Sequence, residues 1–153
     1  MMNEENQLNA NQIIEKINAR RDIWTSNITE NVIEQLSSDV LSKLNTAEVY
    51  ALSYREKAVS ELYSIKGLLF KAGANYDEKY EKEYKKYMFS TDVKLSPAER
   101  TKCIDNKLRN EKELIDLYER YITFLSDCVK TLDNFAYAIK NKYDTIKWKE
   151  GAF

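Results

Sequence analysis

The residues of this chain best suited to chemistry are lysines and tyrosines. From Tyr76 to Tyr87 the order is Tyr76-Asp-Glu-Lys79-Tyr80-Glu-Lys82-Glu-Tyr84-Lys85-Lys86-Tyr87. Lysines that track phosphates, with flat rings that stack on bases, are what single-stranded nucleic acid binding requires. In a helix, tyrosines spaced four, four and three apart fall on one face. The candidate nucleic-acid-binding residues are therefore Lys79, Lys82, Tyr84, Lys85, Lys86 and Tyr87. Asp77, Glu78, Glu81 and Glu83 balance the four lysines, so the segment attracts phosphate only if its lysines face one way. A second stretch, Lys140 to Lys149 with Tyr143 and Trp148, interleaves the same residue types. For both, the plainer alternative is a solvated helix whose aromatic stripe packs on a bundle.

Other chemistry has little to work with. The 153 residues contain no histidine, which removes imidazole as metal ligand, general base or switch near neutral pH. No glycine-rich phosphate loop or nucleophile elbow is present, and carboxylates such as Glu111, Asp116 and Glu119 are interleaved with Lys112 and Arg120. Di-metal bundles draw on Glu-x-x-His motifs, which this chain cannot make. The expectation is a protein without catalytic residues, metal or cofactor. Cys103 and Cys128 lie 25 residues apart, about 38 Å along one helix, and read as two reduced, buried thiols.

Those side chains need elements to position them, and composition points to one class. Three glycines and one proline cannot supply the turns of a many-stranded sandwich or barrel, which leaves an all-α protein. Its length suits a single helical domain, 1–153, with N-terminal helices in 1–75, a Lys/Tyr-rich segment and loop in 76–95, and a long C-terminal helix in 96–149. No apolar run approaches the 18 residues of a membrane span and the start is acidic, so the chain reads as cytoplasmic, with no membrane partner. Net charge is −1, but residues 1–50 hold four cations against eight anions, and residues 130–149 hold five against two. Such polarity suits assembly, or separate protein-binding and phosphate-binding faces.

Helical periodicity runs from Ile13, Ile14 and Ile17 through the ladder Ile28, Val32, Leu36, Val40 and Leu44, predicting two helices before residue 45. Asn45 and Glu48 suggest a capping pair opening a third, with Gly73 placed to stop it. Ser96-Pro97-Ala98-Glu99 restarts the pattern after a lapse from Phe89 to Leu95. From Ile104 to Ile146 an alternating three-four spacing is sustained, broken at Glu111 and widened by Leu114, Tyr121, Cys128 and Phe135. A straight helix from Pro97 to Lys142 would be about 69 Å long, beyond the roughly 40 Å of a compact chain this size. It must overhang or bend, and self-association covers an overhanging face most simply. The expected oligomer interface is Ile115, Tyr118, Ile122, Leu125, Val129, Leu132, Ala136 and Ile139. The alternative is an antiparallel bundle within the chain, bent near Asn106 to Asn110.

The terminal region Ile122-Thr-Phe-Leu-Ser-Asp-Cys128-Val-Lys-Thr-Leu-Asp133, then Ala138-Ile139-Lys140-Asn-Lys142, then Ile146-Lys147-Trp148-Lys-Glu-Gly151, resembles the C-terminal helix of the phage UvsY-type recombination mediators. The likeness covers roughly the last 60 residues and is loose before Tyr76. It implies a protein of recombination, repair and replication that binds single-stranded DNA and assembles through its C-terminal helix into a ring of six or seven subunits. Such a protein loads a RecA-like recombinase onto DNA covered by single-stranded-DNA-binding protein, in the host cytoplasm if phage-encoded. The family's DNA-contacting element is a Lys-x-Arg motif followed by tyrosines. Here Lys82-Glu83-Tyr84-Lys85-Lys86-Tyr87 stands at that place, with Lys82 matching and the arginine absent. The competing reading is a helical structural or adaptor protein of phage assembly that acts by protein contacts alone. A third is an inhibitor whose acidic N-terminal half mimics nucleic acid.

Overall fold

A computed structural model describes residues 2–89 and 94–151, with side chains from residue 10 onward. It is all-α: the helices are α1 (Met2–Ile28), α2 (Leu41–Phe89), α3 (Pro97–Lys107) and α4 (Arg109–Lys149), with no strand among the described residues. The chain forms two compact units. One comprises Met1–Ile14 and Ile65–Tyr121, the other Glu15–Ser64 and Ile122–Phe153.

In the second unit three apolar stripes meet. Ile17, Trp24 and Ile28 come from α1, Leu44, Ala47, Ala51, Tyr54 and Ala58 from α2, and Leu125, Cys128, Leu132 and Ile139 from α4. Each repeats at threes, fours and their sums, the period that keeps one side of a helix facing its neighbours. The alanines of α2 let the backbones approach, and Trp24 fills the space with its ring edge against Tyr54, 6.1 Å between centroids. Trp24 Nε1 donates to Glu61 Oε2 at 2.9 Å, and Arg20 pairs with the same carboxylate. Asn31 Nδ2 donates to the Tyr54 hydroxyl at 2.9 Å, so α1 and α2 run antiparallel. Lys142 near Asp39 and Arg55 on Asp133 at 2.6 Å show that α4 is antiparallel to α2 as well.

The ladder from Ile28 to Leu44 is not one helix. After α1 the backbone widens into a π-turn over Thr29–Ile33 and tightens into a 3-10 turn over Glu34–Ser37. Ser38 is extended, and α2 begins at Leu41. The periodicity survives because Val32 and Leu44 are both buried, although different backbone geometries place them. Asn45 lies inside α2 and caps nothing, and Gly73 does not end the helix. A glycine in a helix interior costs only about 1 kcal/mol, too little by itself to end a helix of 49 residues. The glycine that takes a left-handed conformation is Gly151, φ 68°, just after α4.

In the first unit α3 starts as expected. Ser96 accepts from the Glu99 amide at 3.2 Å, the Glu99 carboxylate accepts from the Ser96 amide at 2.9 Å, and Pro97 occupies the first turn. The lapse preceding it falls largely on residues 90–93, outside those described. Helical bonding passes almost unbroken from α3 to α4, with Leu108 (φ −101°, ψ 20°) at the bend, donating to Ile104 and accepting from Lys112. The long helix therefore bends where the intrachain alternative places it. Glu111, the break in the apolar spacing, has a reason in packing: Lys79 Nζ meets its carboxylate at 2.8 Å. Lys107 to Glu83 at 2.9 Å confirms the antiparallel sense of α2 and α3.

Candidate nucleic-acid interface

The Lys/Tyr segment is the last part of α2, carried beyond Gly73 by its own charge pattern. Glu78 with Lys82 at 3.4 Å and Glu81 with Lys85 at 3.0 Å put the glutamate one turn before the lysine, the better orientation for a helix. Glu83 adds Lys86 at 3.2 Å. One side of the segment turns inward, with Tyr76, Lys79, Tyr80, Glu83 and Tyr87 half-buried. The other carries Lys82, Lys85 and Lys86 in the open, and Tyr84 is exposed at the edge beyond Tyr80.

The capping box delivers two more cations to this place. Arg100 stands over the Tyr84 ring at 6.0 Å, and its guanidinium also touches the Met88 sulfur. Lys107 lies over the Tyr87 ring at 5.6 Å while holding Glu83. Glu83 thus receives two lysines: the hydrogen bond from Lys107 does most to hold its carboxyl below the usual range, and the same bond pushes the Lys107 ammonium up. Burial, helped by nearby Asp105, raises the Tyr76 phenol.

Of the six candidate residues, Lys82, Lys85 and Lys86 come together on one exposed arc of α2, whereas Tyr84, also exposed, lies about 160° round the helix from Lys82 and Lys86. Lys79 does not, because it is turned inward onto Glu111, and Tyr87 is half-covered by Lys107. The tyrosine stripe packs on the unit, leaving Tyr84 as its exposed ring. The surface pairs at Lys82, Lys85 and Lys86 sit in water, where such a pair is worth a few tenths of a kcal/mol. They yield readily to a phosphate. No protein-family model, curated protein or solved structure matches the chain.

The expected oligomer interface divides in two. Tyr118, Leu125, Leu132 and Ile139 are buried within the chain itself, so they are core residues of a single subunit. Ile115, Ile122, Val129 and Ala136 are half-buried and share the side of α4 that carries Asp133. Tyr121 and Cys128, not Ile122 and Val129, complete the buried stripe, because α1 packs on that flank: Arg21 stands over Phe124 at 5.0 Å. In the C-terminal stretch Lys142 donates to the Leu36 carbonyl at 2.6 Å and faces Asp39 at 3.5 Å, which makes it a tie between α4 and the 3-10 turn.

Several residues that organise the second unit carry no local signal. Glu61 meets Trp24 across 37 positions and Arg55 meets Asp133 across 78, separations that no helical spacing encodes. An open pocket of about 390 Å³ lies beside Trp24, Tyr54, Lys57 and Glu61, its carboxylate already held by Trp24 and Arg20. Among the described residues no three Cys, Asp or Glu side chains converge to hold a metal ion.

Proposed function

We propose that this protein is a non-enzymatic recombination mediator that binds single-stranded DNA, self-associates, and helps load a RecA-like recombinase in place of single-stranded-DNA-binding protein. The observation that carries the DNA-binding part is the surface of the last turns of α2, where Lys82, Lys85 and Lys86 share one exposed arc and the exposed Tyr84, with Arg100 over its ring, lies beyond Lys85. Lysines supply phosphate contacts and the ring supplies a stacking platform. The resemblance of the C-terminal region supports the recombination role. Self-association is supported by Ile122, Val129 and Ala136, left half-covered on α4, and by the exposed Val49 and Leu52 on α2. A weak site per subunit gains from repetition in such an assembly.

The test is fluorescence anisotropy of a labelled oligonucleotide across a salt series. Binding should weaken steeply as salt rises, and replacing Lys82, Lys85 and Lys86 by Gln should flatten the log–log slope by about 2, at roughly 0.7 per phosphate contact. No binding at about 50 mM salt refutes the reading, since phosphate attraction is strong there. That outcome would favour the adaptor reading, for which the specific observation is that these three lysines already have glutamate partners while Val49 and Leu52 are open. An adaptor assembles but ignores DNA.

A further inference from the structure

The C-terminal half of α4 has a second surface that the Lys/Tyr segment does not explain. Tyr137 is 70% exposed and Trp148 72% exposed, the two most open rings of α4. Eleven residues apart, they lie on the same side of the helix, about 16 Å from one another. Lys130 shares that side, Lys140 flanks it, and Lys149 stands about 100° round the helix from Trp148. These three lysines are exposed and form no ion pair among the described residues. The Lys82, Lys85 and Lys86 ammonium groups, by contrast, each rest on a glutamate. Asp133, at the border of this side, is neutralised by Arg55.

We infer that this stripe of α4 is a second strand-contacting surface, on which bases of single-stranded nucleic acid stack against Tyr137 and Trp148 while Lys130, Lys140 and Lys149 take phosphates. The inference rests on the reading of the chain as a binder of single-stranded DNA, and adds a site to it. Charge complementarity selects this occupant over another protein. Asn141 and Asp144 lie between the rings and Asn134 just before them, so no continuous apolar patch exists for a protein interface to bury. Isolated rings set among unpaired cations match alternating bases and phosphates. Asp144 is the group that opposes a phosphate there, and it serves as a diagnostic.

The experiment uses the full chain and a labelled oligonucleotide of thymidines. Lys130→Gln, Lys140→Gln and Lys149→Gln together should reduce the salt slope by about 2, and Tyr137→Ala or Trp148→Ala should each weaken binding about fivefold or more. Asp144→Asn should tighten it, which no purely structural role of that side chain produces. Trp24 is 8% exposed and Trp148 is open, so the oligonucleotide should quench the emission of Trp148, and Trp148→Phe should abolish the quenching. If the wild type binds and only the Lys82, Lys85 and Lys86 replacements weaken it, this inference falls while the proposed function stands. If the wild type binds no oligonucleotide, both fall. Quenching that follows protein concentration without DNA would show a second copy on the stripe and would overturn the inference.

Discussion

Cys128 and Cys103 are the same residue type in different surroundings. Cys128 is 7% exposed in the second unit, and burial there pushes its thiol up to about 11. Cys103 is half-buried on α3. The thiolate is the reactive form, so at pH 8 Cys128 is both unexposed and almost wholly protonated. A chromogenic thiol reagent should modify one cysteine promptly in the native protein and the second only on unfolding. Replacing Cys103 by Ser should remove the prompt phase, and a prompt phase that survives would mean that Cys128 opens to solvent. That both thiols are free was legible from the sequence, because the pair is too far apart to bridge, but the expected burial holds for Cys128 and not for the half-buried Cys103. Which one is deeper was not legible, since that depends on α1 covering one flank of α4.

At the scale of elements, α3 is held to α2 by Glu83, which binds Lys86 and Lys107 at once. Its lowered carboxyl contributes fully above the ordinary glutamate range, and the contribution is lost as pH falls through the lowered value. Lys107 is raised, so its contribution is complete below the ordinary lysine range and is lost as pH climbs through the raised value. The attachment is strongest between about pH 5 and pH 10. Denaturant midpoints at pH 7 and pH 3 should differ by more for the wild type than for Glu83→Gln. The gap should be at most about 1 kcal/mol, because both lysines are over half exposed; an equal loss in both proteins would remove Glu83 from the account. The start of α3 could be read directly, because a capping box is written in four consecutive residues. The tie that docks it spans 24 positions between Glu83 and Lys107 and leaves no periodic trace. Gly73 shows the opposite error: its local preference for stopping a helix is small, and the tertiary setting of α2 overrides it.

For the whole molecule, α4 divides into a buried stripe that belongs to the fold and a half-covered edge on which the proposed assembly would rest. Leu125→Ala should cost about 2–5 kcal/mol, the range for emptying a packed site, and Leu125→Asp should unfold the second unit by burying a lone charge. Val129→Asp adds its charge at the edge, where water still reaches, and should leave the helical content intact while dissociating any oligomer built on that edge. Sedimentation of Val129→Asp with circular dichroism decides it: a folded variant with the wild-type mass would exclude this edge from the assembly. The period of the seam was legible, and Tyr118, Leu125, Leu132 and Ile139 all proved to lie on it. The choice between the stripe through Tyr121 and the one through Ile122 was not, because a broad apolar face fits two neighbours and only the positions of α1 and α2 decide which is covered.

The π-turn at Thr29–Ile33 bears on how this sequence tolerates changes of length. A widened turn is the shape one surplus residue takes inside an α-helix, and the tighter turn over Glu34–Ser37 follows it before α2 begins. Loss of a residue within α2 would swing every later side chain by about 100° and bring Ala58 and its neighbours off the core. Loss of one residue between Thr29 and Ile33 only narrows the wide turn to an ordinary one, with the faces before and after it still aligned. The segment is thus the molecule's expansion joint, the place where loss of one residue should be absorbed without repacking either helix.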